Sequence, residues 1–253
     1  MANIAPALPI DLTKTAILLD VDGTILDIAP RPGDVHAPAN LRATLARLAE
    51  RTSGATALVS GRSIGDLDRI FAPVRLPAIG GHGAELRPSV GEQARRSPRA
   101  ALSSELKRLL HAIGDARPGI IVEDKGYAVA LHYRLAPEQG PLVRDSVAAI
   151  RAKLPPGVIE VLPGKAVIEV KPAGFSKGTA LRELMTYPAF TGRRPIFIGD
   201  DTTDETAFAA MPEFHGLPIS VGRAVAGVAN RFETPRDVRE WLETISNGSG
   251  MAA

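Results

Sequence analysis

The strongest indication of the fold lies in Ala16-Ile17-Leu18-Leu19-Asp20-Val21-Asp22-Gly23-Thr24. Its four leading apolar residues predict a strand that is buried on both faces, as in a parallel sheet. Gly23 lets the chain turn sharply where that strand ends. Asp20 and Asp22 are therefore expected at a carboxyl end of the sheet, which is where open α/β folds place their sites.

The two aspartates are expected to point the same way, because side chains alternate along a strand. Two carboxylates this close repel each other unless a cation or a proton lies between them. Oxygen ligands of this kind suit Mg²⁺, and an aspartate beside a metal can be a nucleophile while its neighbour is a general acid or base. Taken alone, the pattern is short enough to be a strand end with two solvated aspartates.

The composition is that of an ordinary globular protein of 253 residues, with 45% apolar and 23% charged residues. Its net charge is only +2, and no run of lysine or arginine indicates a nucleic-acid or membrane partner. The absence of cysteine excludes disulfides, thiolate metal sites and cysteine nucleophiles. No apolar run reaches the ~20 residues of a membrane helix, and residues 1–14 lack the pattern of a signal peptide, so we expect a soluble cytoplasmic protein.

Strands and helices alternate in the first and last parts of the chain. The strand–helix–strand–helix spacing over residues 15–83 predicts a Rossmann-like parallel sheet with right-handed crossovers. The same alternation resumes after Gly174 and continues to a final helix around Trp241. Both parts together predict one α/β core, formed by residues 1–86 and 173–253.

The middle of the chain, residues 87–172, has a different pattern. Its strands come in pairs that turn at Lys125-Gly126 and Pro163-Gly164, and a helix precedes each pair. This is typical of an inserted α+β domain, with an open-faced sheet and helices on one side. The open face is either a plain solvated surface, as antiparallel sheets commonly have, or a polar lid over the Asp20 site.

Further polar groups follow the other core strands. Ser60-Gly61 ends the second strand, Gly199-Asp200-Asp201 ends the strand at 195–198, and Lys177 opens a helix. Each could have a simpler explanation: a turn, helix N-caps or a surface lysine. Together with Asp20 they supply a nucleophile, a metal cage, a hydroxyl donor and a cation, the set that phosphoryl transfer through an aspartyl phosphate requires.

This set resembles the four motifs of the haloacid dehalogenase superfamily of phosphotransferases, and the insertion falls where that superfamily places its larger type of cap domain. Over about residues 15–222 the sequence is similar to the trehalose-6-phosphate phosphatases. The similar core motifs lie at 20–24, 27–30, 59–62, 82–85, 176–178 and 199–205. The similar cap positions are Glu123, Lys125, 132–134, 164–165, 169–172 and Gly174. Gly81, where a bulkier apolar residue is usual, and the short segment after Met211 depart from that family, but neither is a charged site position.

The resemblance implies how the core would act. Asp20 would attack phosphorus, and Asp22 would protonate the leaving sugar oxygen and then activate water. Lys177 would neutralise charge on Asp20 and on the phosphoryl group. The residues that would contact the phosphate are Asp20, Thr24, Ser60, Gly61 and Lys177.

The resemblance also implies a metal site and a sugar site. Mg²⁺ would be held by Asp20, the backbone carbonyl of Asp22 and Asp200. Asp201 or Asp204 would order these ligands from outside. The residues that would hold the sugar are Arg62, His82, Glu123, Lys125, Arg134, Lys165 and Glu169.

These motifs predict an Mg²⁺-dependent phosphatase that releases trehalose from trehalose 6-phosphate, the final step of trehalose biosynthesis. We expect a monomer that works beside a trehalose-6-phosphate synthase. Two alternatives stay open: a phosphatase for another sugar phosphate, because the cap sets selectivity, and a catalytically silent sugar-phosphate binder, because a fold does not prove activity. A nucleotide-binding α/β domain is not expected, because no Gly-rich loop of the GxGxxG or Walker type follows a strand.

Overall fold

A computed structural model of the chain describes residues 10–28, 35–97, 101–164 and 166–248. In chain order the strands are β1 (Thr15–Leu19), β2 (Thr56–Val59), β3 (Ala78–Gly80), β4 (Glu85–Arg87), β5 (Arg95–Arg96), β6 (Ile121–Asp124), β7 (Val129–His132), β8 (Ile159–Gly164), β9 (Val167–Pro172), β10 (Arg194–Gly199), β11 (Leu217–Val221) and β12 (Asn230–Phe232). The α-helices are α1 (Ala39–Arg51), α2 (Ile64–Phe71), α3 (Ser104–Asp115), α4 (Gly140–Ala152), α5 (Lys177–Leu184), α6 (Glu205–Phe208) and α7 (Pro235–Ser246). Short 3₁₀ turns lie at Gly81–Gly83, Pro137–Gln139, Thr202–Asp204 and Met211–Phe214.

The chain divides into two units, which we call the core unit (residues 1–96 and 176–253) and the inserted unit (residues 97–175). The strand pattern of the sequence predicts the inserted domain at 87–172. The first boundary of the structure lies later because β4 and β5 pair with the sheet of the core unit. These edge strands were not predicted, since β4 is three residues long and β5 consists of two exposed arginines with no apolar pattern.

The sheet of the core unit has the strand order β12-β11-β10-β1-β2-β3-β4-β5. Its strands pair in parallel from β12 to β3, and β4 and β5 add to the β3 edge in antiparallel fashion. The predicted α/β fold with a mostly parallel sheet is therefore confirmed. β12 was not predicted; with the sequence Asn230-Arg231-Phe232 it offers a single apolar side chain.

Two hydrophobic clusters cover the two faces of this sheet. One contains Ile17 and Leu19 of β1 and packs against α1, α2 and α7, and the other contains Ala16 and Leu18 and packs against α5 and α6. Since side chains alternate along a strand, β1 is buried on both faces, as the sequence predicts. The strand ends at Leu19, so the polar residues that follow it lie at the edge of the sheet.

The inserted unit contains an antiparallel sheet of strand order β6-β7-β9-β8. Val129 and Leu131 of β7 pack with Ile168 and Val170 of β9 against α3 and α4, so both helices cover one face. Residues of the opposite parity, such as Glu169, point to the other face. In the described part of the chain, no helix is both long and apolar enough to cross a bilayer.

Candidate active site

The candidate site lies where the central strands of the core unit end. Asp20 is the first residue after β1, is only 4% exposed, and donates its backbone N–H to the carbonyl of Ile198 in β10 at 2.9 Å. This bond ties the end of β1 to the end of β10, which carries Asp200 one residue past its last position. Parallel pairing thus brings two distant carboxylates together, as expected for an α/β sheet.

Three carboxylates converge here. One carboxylate oxygen from each of Asp20, Asp200 and Asp204 lies within 4.8 Å of the other two. The family resemblance implies that Asp204 lies outside the metal shell, whereas its fully buried carboxylate is a member of this cluster. The side chain of Asp201 instead caps the turn by accepting from the N–H of Thr202 at 2.7 Å.

Lys177 is the cation of this cluster. Its Nζ lies 2.7 Å from Asp20 Oδ1 and 2.6 Å from Asp204 Oδ1, and the side chain is 2% exposed. Burial alone would lower the pKa of Lys177, but the charges of Asp20 and Asp204 outweigh burial and raise it above its ordinary value. Lys177 is placed by the start of α5, where Ser176 and Thr179 form a capping box; Ser176 was the predicted cap.

The single positive charge of Lys177 does not neutralise the negative charge that three ionised carboxylates would carry. Burial and the charge of Asp20 raise the pKa of Asp200 to about 8 and that of Asp204 to about 7. Such raised values mean that the folded cluster favours an added proton or cation. Buried carboxylate oxygens are the donor set that Mg²⁺ prefers, so the residues present fit the metal that the family resemblance implies.

This imbalance predicts how the metal-free protein responds to pH. Since the pKa values of Asp200 and Asp204 are raised in the folded state, the folded chain binds more protons than the unfolded chain between about pH 4 and 8. The free energy of unfolding in EDTA should therefore fall as pH rises through this window. Denaturant unfolding at several pH values, with EDTA and with Mg²⁺, measures it; a fall just as steep with Mg²⁺ or in Asp200→Asn would contradict the assignment.

Two glycines make room for the carboxylates. Gly23 has a φ of +79°, and a Cβ atom there would lie 2.1 Å from Asp200 Oδ2. A Cβ atom on Gly199 would lie 2.5 Å from Cγ of Asp204. Both distances are far below van der Waals contact, so glycine at these positions lets Asp200 and Asp204 approach Asp20.

Two hydroxyl groups that were predicted to bind phosphate lie at the same edge. The Thr24 hydroxyl is 2.9 Å from Asp20 Oδ2 and 3.1 Å from Asp200 Oδ1, so it can donate to either carboxylate. Ser60 follows β2 and is 1% exposed, and its Oγ accepts from the N–H of Arg62 at 3.1 Å. A Cβ atom on Gly61 would lie 2.4 Å from the ring of His82, so that ring packs closely against the Ser60-Gly61 turn.

Asp22 lies apart from the acidic cluster and pairs with Arg62. Arg62 Nε and Nη2 donate to the two carboxylate oxygens of Asp22 at 2.6 and 2.7 Å. The hydrogen bond to Asp22 raises the pKa of Arg62. The family resemblance implies that Arg62 binds the sugar, but in the structure its two hydrogen bonds make it a partner of Asp22.

Three of the predicted sugar residues of the inserted unit, Glu123, Lys125 and Glu169, lie in polar pairs. Lys125 Nζ lies 2.5 Å from Glu169 Oε2, and His132 Nε2 lies 3.0 Å from Glu123 Oε2. The other oxygen of Glu169, Oε1, is buried without a hydrogen-bond partner among the described residues. Arg134 follows β7 and is exposed, and Lys165 lies outside the described residues.

A family model described as Trehalose-phosphatase matches residues 18–234. The chain belongs to the trehalose-phosphatase family. It is 37% identical to the trehalose-6-phosphate phosphatase of Escherichia coli (strain K12), over 92% of this chain and 87% of that protein. It is 41% identical to a probable trehalose-phosphate phosphatase of Sinorhizobium fredii (strain NBRC 101917 / NGR234), over 87% of this chain and 82% of that protein. The family predicted from the motifs, with its place in the haloacid dehalogenase superfamily, is confirmed.

Solved structures of trehalose-6-phosphate phosphatases are similar to this chain. The C-terminal domain of the enzyme of C. albicans superposes with a TM-score of 0.77 at 21% identity, covering 93% of this chain and 92% of that domain, and shows the fold alone. A trehalose-6-phosphate phosphatase related protein superposes with a TM-score of 0.72 at 27% identity, covering 92% of this chain and 98% of the other.

Two contacts of the acidic cluster formed by Asp20, Asp200 and Asp204 were not predicted from the sequence. Asp204 lies four residues after Asp200, and the 3₁₀ turn between them returns its carboxylate toward Lys177. Arg223 follows β11, the strand next to β10, and its Nε donates to the backbone carbonyl of Asp200 at 2.8 Å. Strand order could have indicated Arg223, because residues after neighbouring parallel strands lie at one edge of a sheet.

Proposed function

We propose that this chain hydrolyses trehalose 6-phosphate to trehalose and phosphate through an aspartyl phosphate on Asp20. The observation that carries the proposal is the setting of Asp20, a buried carboxylate at a strand end with the Lys177 ammonium 2.7 Å from one oxygen. A carboxylate can attack phosphorus without first losing a proton, and a fixed cation beside it stabilises the negative charge of the phosphoryl group.

The reaction then runs in two displacements. An oxygen of Asp20 bonds to phosphorus, the bond from phosphorus to the sugar oxygen breaks, and Asp22 gives a proton to that oxygen. Water then attacks the phosphoryl group, Asp22 takes a proton from the water, and Asp20 is released with phosphate. Arg62 donates one hydrogen bond to each oxygen of Asp22, so it fixes the direction of the carboxyl group that gives and then takes the proton.

The proposal includes a divalent metal, which the family resemblance implies to be Mg²⁺. Asp20, Asp200 and the backbone carbonyl of Asp22 would hold it, with Asp204 and Asp201 ordering the loop around them. When bound, the metal supplies positive charge for the phosphoryl oxygens and a template for the phosphate. Thr24 and Ser60 would donate hydrogen bonds to the remaining phosphate oxygens.

The sugar is proposed to bind through the polar pairs of the inserted unit. The buried Oε1 of Glu169 favours this, because a buried carboxylate oxygen without a partner can accept from a sugar hydroxyl. Lys125 holds the other oxygen and so fixes the carboxylate. Glu123, Arg134, Lys165 and His82 stay predictions from the resemblance, as do the cytoplasmic location, the monomeric state and the association with a synthase.

The test is phosphate release from trehalose 6-phosphate, glucose 6-phosphate and sucrose 6-phosphate, each with Mg²⁺ and with EDTA. We expect fast release from trehalose 6-phosphate alone, lost in EDTA. Release only from another sugar phosphate would contradict the proposed substrate. Undiminished release in EDTA would contradict the proposed need for a metal. No release from any of them, with binding detected by calorimetry, would show a silent binder.

The proposed contact between Glu169 and the sugar is tested by a separate variant in the same assay. Glu169→Gln should raise KM for trehalose 6-phosphate by about tenfold or more, since a hydrogen bond to a charged group contributes about 1.5–3 kcal/mol. Its kcat for p-nitrophenyl phosphate, which has no sugar, should not change. Glu138→Gln, at an exposed carboxylate of the same unit, is the matched control and should alter neither constant.

A further inference from the structure

One guanidinium bridges the two ends of the loop that carries Asp200. Arg223 Nε donates to the Asp200 backbone carbonyl at 2.8 Å, and Nη2 pairs with Glu205 Oε1 at 2.8 Å. Asp200 is the first residue after β10 and Glu205 is the first residue of α6. The register between Gly199 and Ser220 brings the end of β11 beside the end of β10, which places Arg223 within reach of both.

The backbone that carries Arg223 is itself held in place. The N–H of Gly222, whose φ is +71°, donates to the carbonyl of Phe232 at 2.9 Å, and the N–H of Arg223 donates to the carbonyl of Val221 at 2.8 Å. The first bond joins the turn after β11 to the end of β12, and the second closes the turn itself. Arg223 therefore reaches Asp200 from a turn that backbone hydrogen bonds hold in place.

The ion pair of Arg223 with Glu205 contributes little to stability by itself. The two side chains are 36% and 50% exposed, and ion pairs in that setting contribute about 0–1 kcal/mol. The bond to the Asp200 carbonyl has a different consequence, because it fixes the main chain from which a carboxylate of the acidic cluster projects.

The Asp200 carboxylate needs such a restraint. One of its oxygens lies within 4.8 Å of one oxygen each of Asp20 and Asp204, and a metal held there requires each carboxylate to keep its direction. The next residue, Asp201, is anchored separately, since its N–H donates to Asp204 Oδ2 at 2.9 Å. The bond from Arg223 extends that restraint to the peptide group of Asp200 itself.

We propose that Arg223 is a positioning residue for the metal site, which holds the main chain of Asp200 so that its carboxylate stays directed at Asp20. The inference rests on the proposed role of this cluster in binding a divalent metal. Arg223 touches neither the phosphate nor the sugar in this role, so it acts through Asp200.

The experiment compares Mg²⁺ binding and catalysis in Arg223→Ala, Arg223→Met, Arg223→Lys and the unaltered full chain. The dissociation constant for Mg²⁺ is measured by calorimetry on protein freed of metal with EDTA, without substrate. Steady-state kinetics with trehalose 6-phosphate then give the Mg²⁺ concentration for half-maximal rate and KM at saturating Mg²⁺. Arg182→Ala is the matched control, because Arg182 forms a comparable exposed pair with Glu213 in the same unit.

We expect Arg223→Ala to weaken Mg²⁺ binding by about 10-fold or more, the range seen when a residue that orients a metal ligand is removed. KM for trehalose 6-phosphate at saturating Mg²⁺ should stay unchanged, which separates a metal effect from a substrate effect. Arg223→Lys should recover only part of the Mg²⁺ affinity. An ammonium lacks the planar set of donors with which a guanidinium contacts both the Asp200 carbonyl and Glu205. Arg182→Ala should behave as the unaltered chain.

An Mg²⁺ dissociation constant within about twofold of the unaltered chain in both Arg223→Ala and Arg223→Met would overturn the inference. Arg223→Met keeps an apolar side chain of similar length, so it provides the measurement if Arg223→Ala unfolds at too low a temperature. An equal loss in Arg182→Ala would also overturn it, since that result indicates a general effect of surface charge. If the unaltered chain binds no Mg²⁺, the proposed metal site fails first, and the inference fails with it.

Discussion

Asp20→Asn is expected to abolish turnover while leaving the fold intact. Asparagine has the shape of aspartate but offers no anionic oxygen for attack on phosphorus, so we expect kcat to fall by about 10⁴-fold or more, as when other covalent nucleophiles are removed. The variant keeps an oxygen that can face Lys177, 2.7 Å away in the structure. Phosphate release from trehalose 6-phosphate and thermal melting measure the two effects.

Trapping of the proposed aspartyl phosphate is a second measurement that tests Asp20 as the nucleophile. Rapid quenching of the unaltered chain during turnover should trap phosphate on the protein in a form that neutral hydroxylamine releases, as expected of an acyl phosphate. Asp20→Asn should trap none. Asp145→Asn, which makes the same chemical change at an exposed position of α4, should keep full activity and normal trapping. Trapping at the normal level in Asp20→Asn would refute the proposed nucleophile.

Lys177→Met is expected to cost both activity and stability. The change removes the buried cation that lies within 2.7 Å of Asp20 and 2.6 Å of Asp204, and it leaves their carboxylates buried without it. Loss of one partner from a buried pair costs about 3–5 kcal/mol of the free energy of unfolding. Loss of a fixed charge beside the phosphoryl group should lower kcat by about 10²–10³-fold.

Denaturant unfolding in EDTA at pH 5 and pH 8 checks the stability effect. Burial and the charge of Asp20 raise the pKa of Asp204, and Lys177 opposes this rise. Removal of Lys177 makes that buried carboxyl group harder to ionise, so the loss of stability should be larger at pH 8 than at pH 5. Lys14→Met removes an 84%-exposed lysine of the same unit and should change the free energy of unfolding by less than about 0.5 kcal/mol. A Lys177→Met variant as stable as Lys14→Met at both pH values would contradict the buried ion-pair account.

The sheet of the core unit and the position of its site follow from local features of the sequence. The apolar run before Asp20 predicts a strand buried on both faces, and the structure buries every residue of β1. Ser60 and Asp200 each follow such a run, so the rule that parallel strands end at one edge is enough to expect them together. The edge strands were not predicted because β5 and β12 bury too few side chains to leave a period in the sequence.

The parallel fold, the family and most of the charged residues at the strand ends could be predicted from the sequence, because burial periodicity and motif spacing are properties of short segments. Which of those charges meet depends on the tertiary structure. There Asp204 lies beside Lys177, Asp22 pairs with Arg62, and Arg223 from another strand contacts the carbonyl of Asp200. These contacts depend on the direction in which each turn leads the chain and on the space that the missing side chains of Gly23 and Gly199 leave open. The spacing of residues along the sequence predicts neither the direction of a turn nor the space beside it.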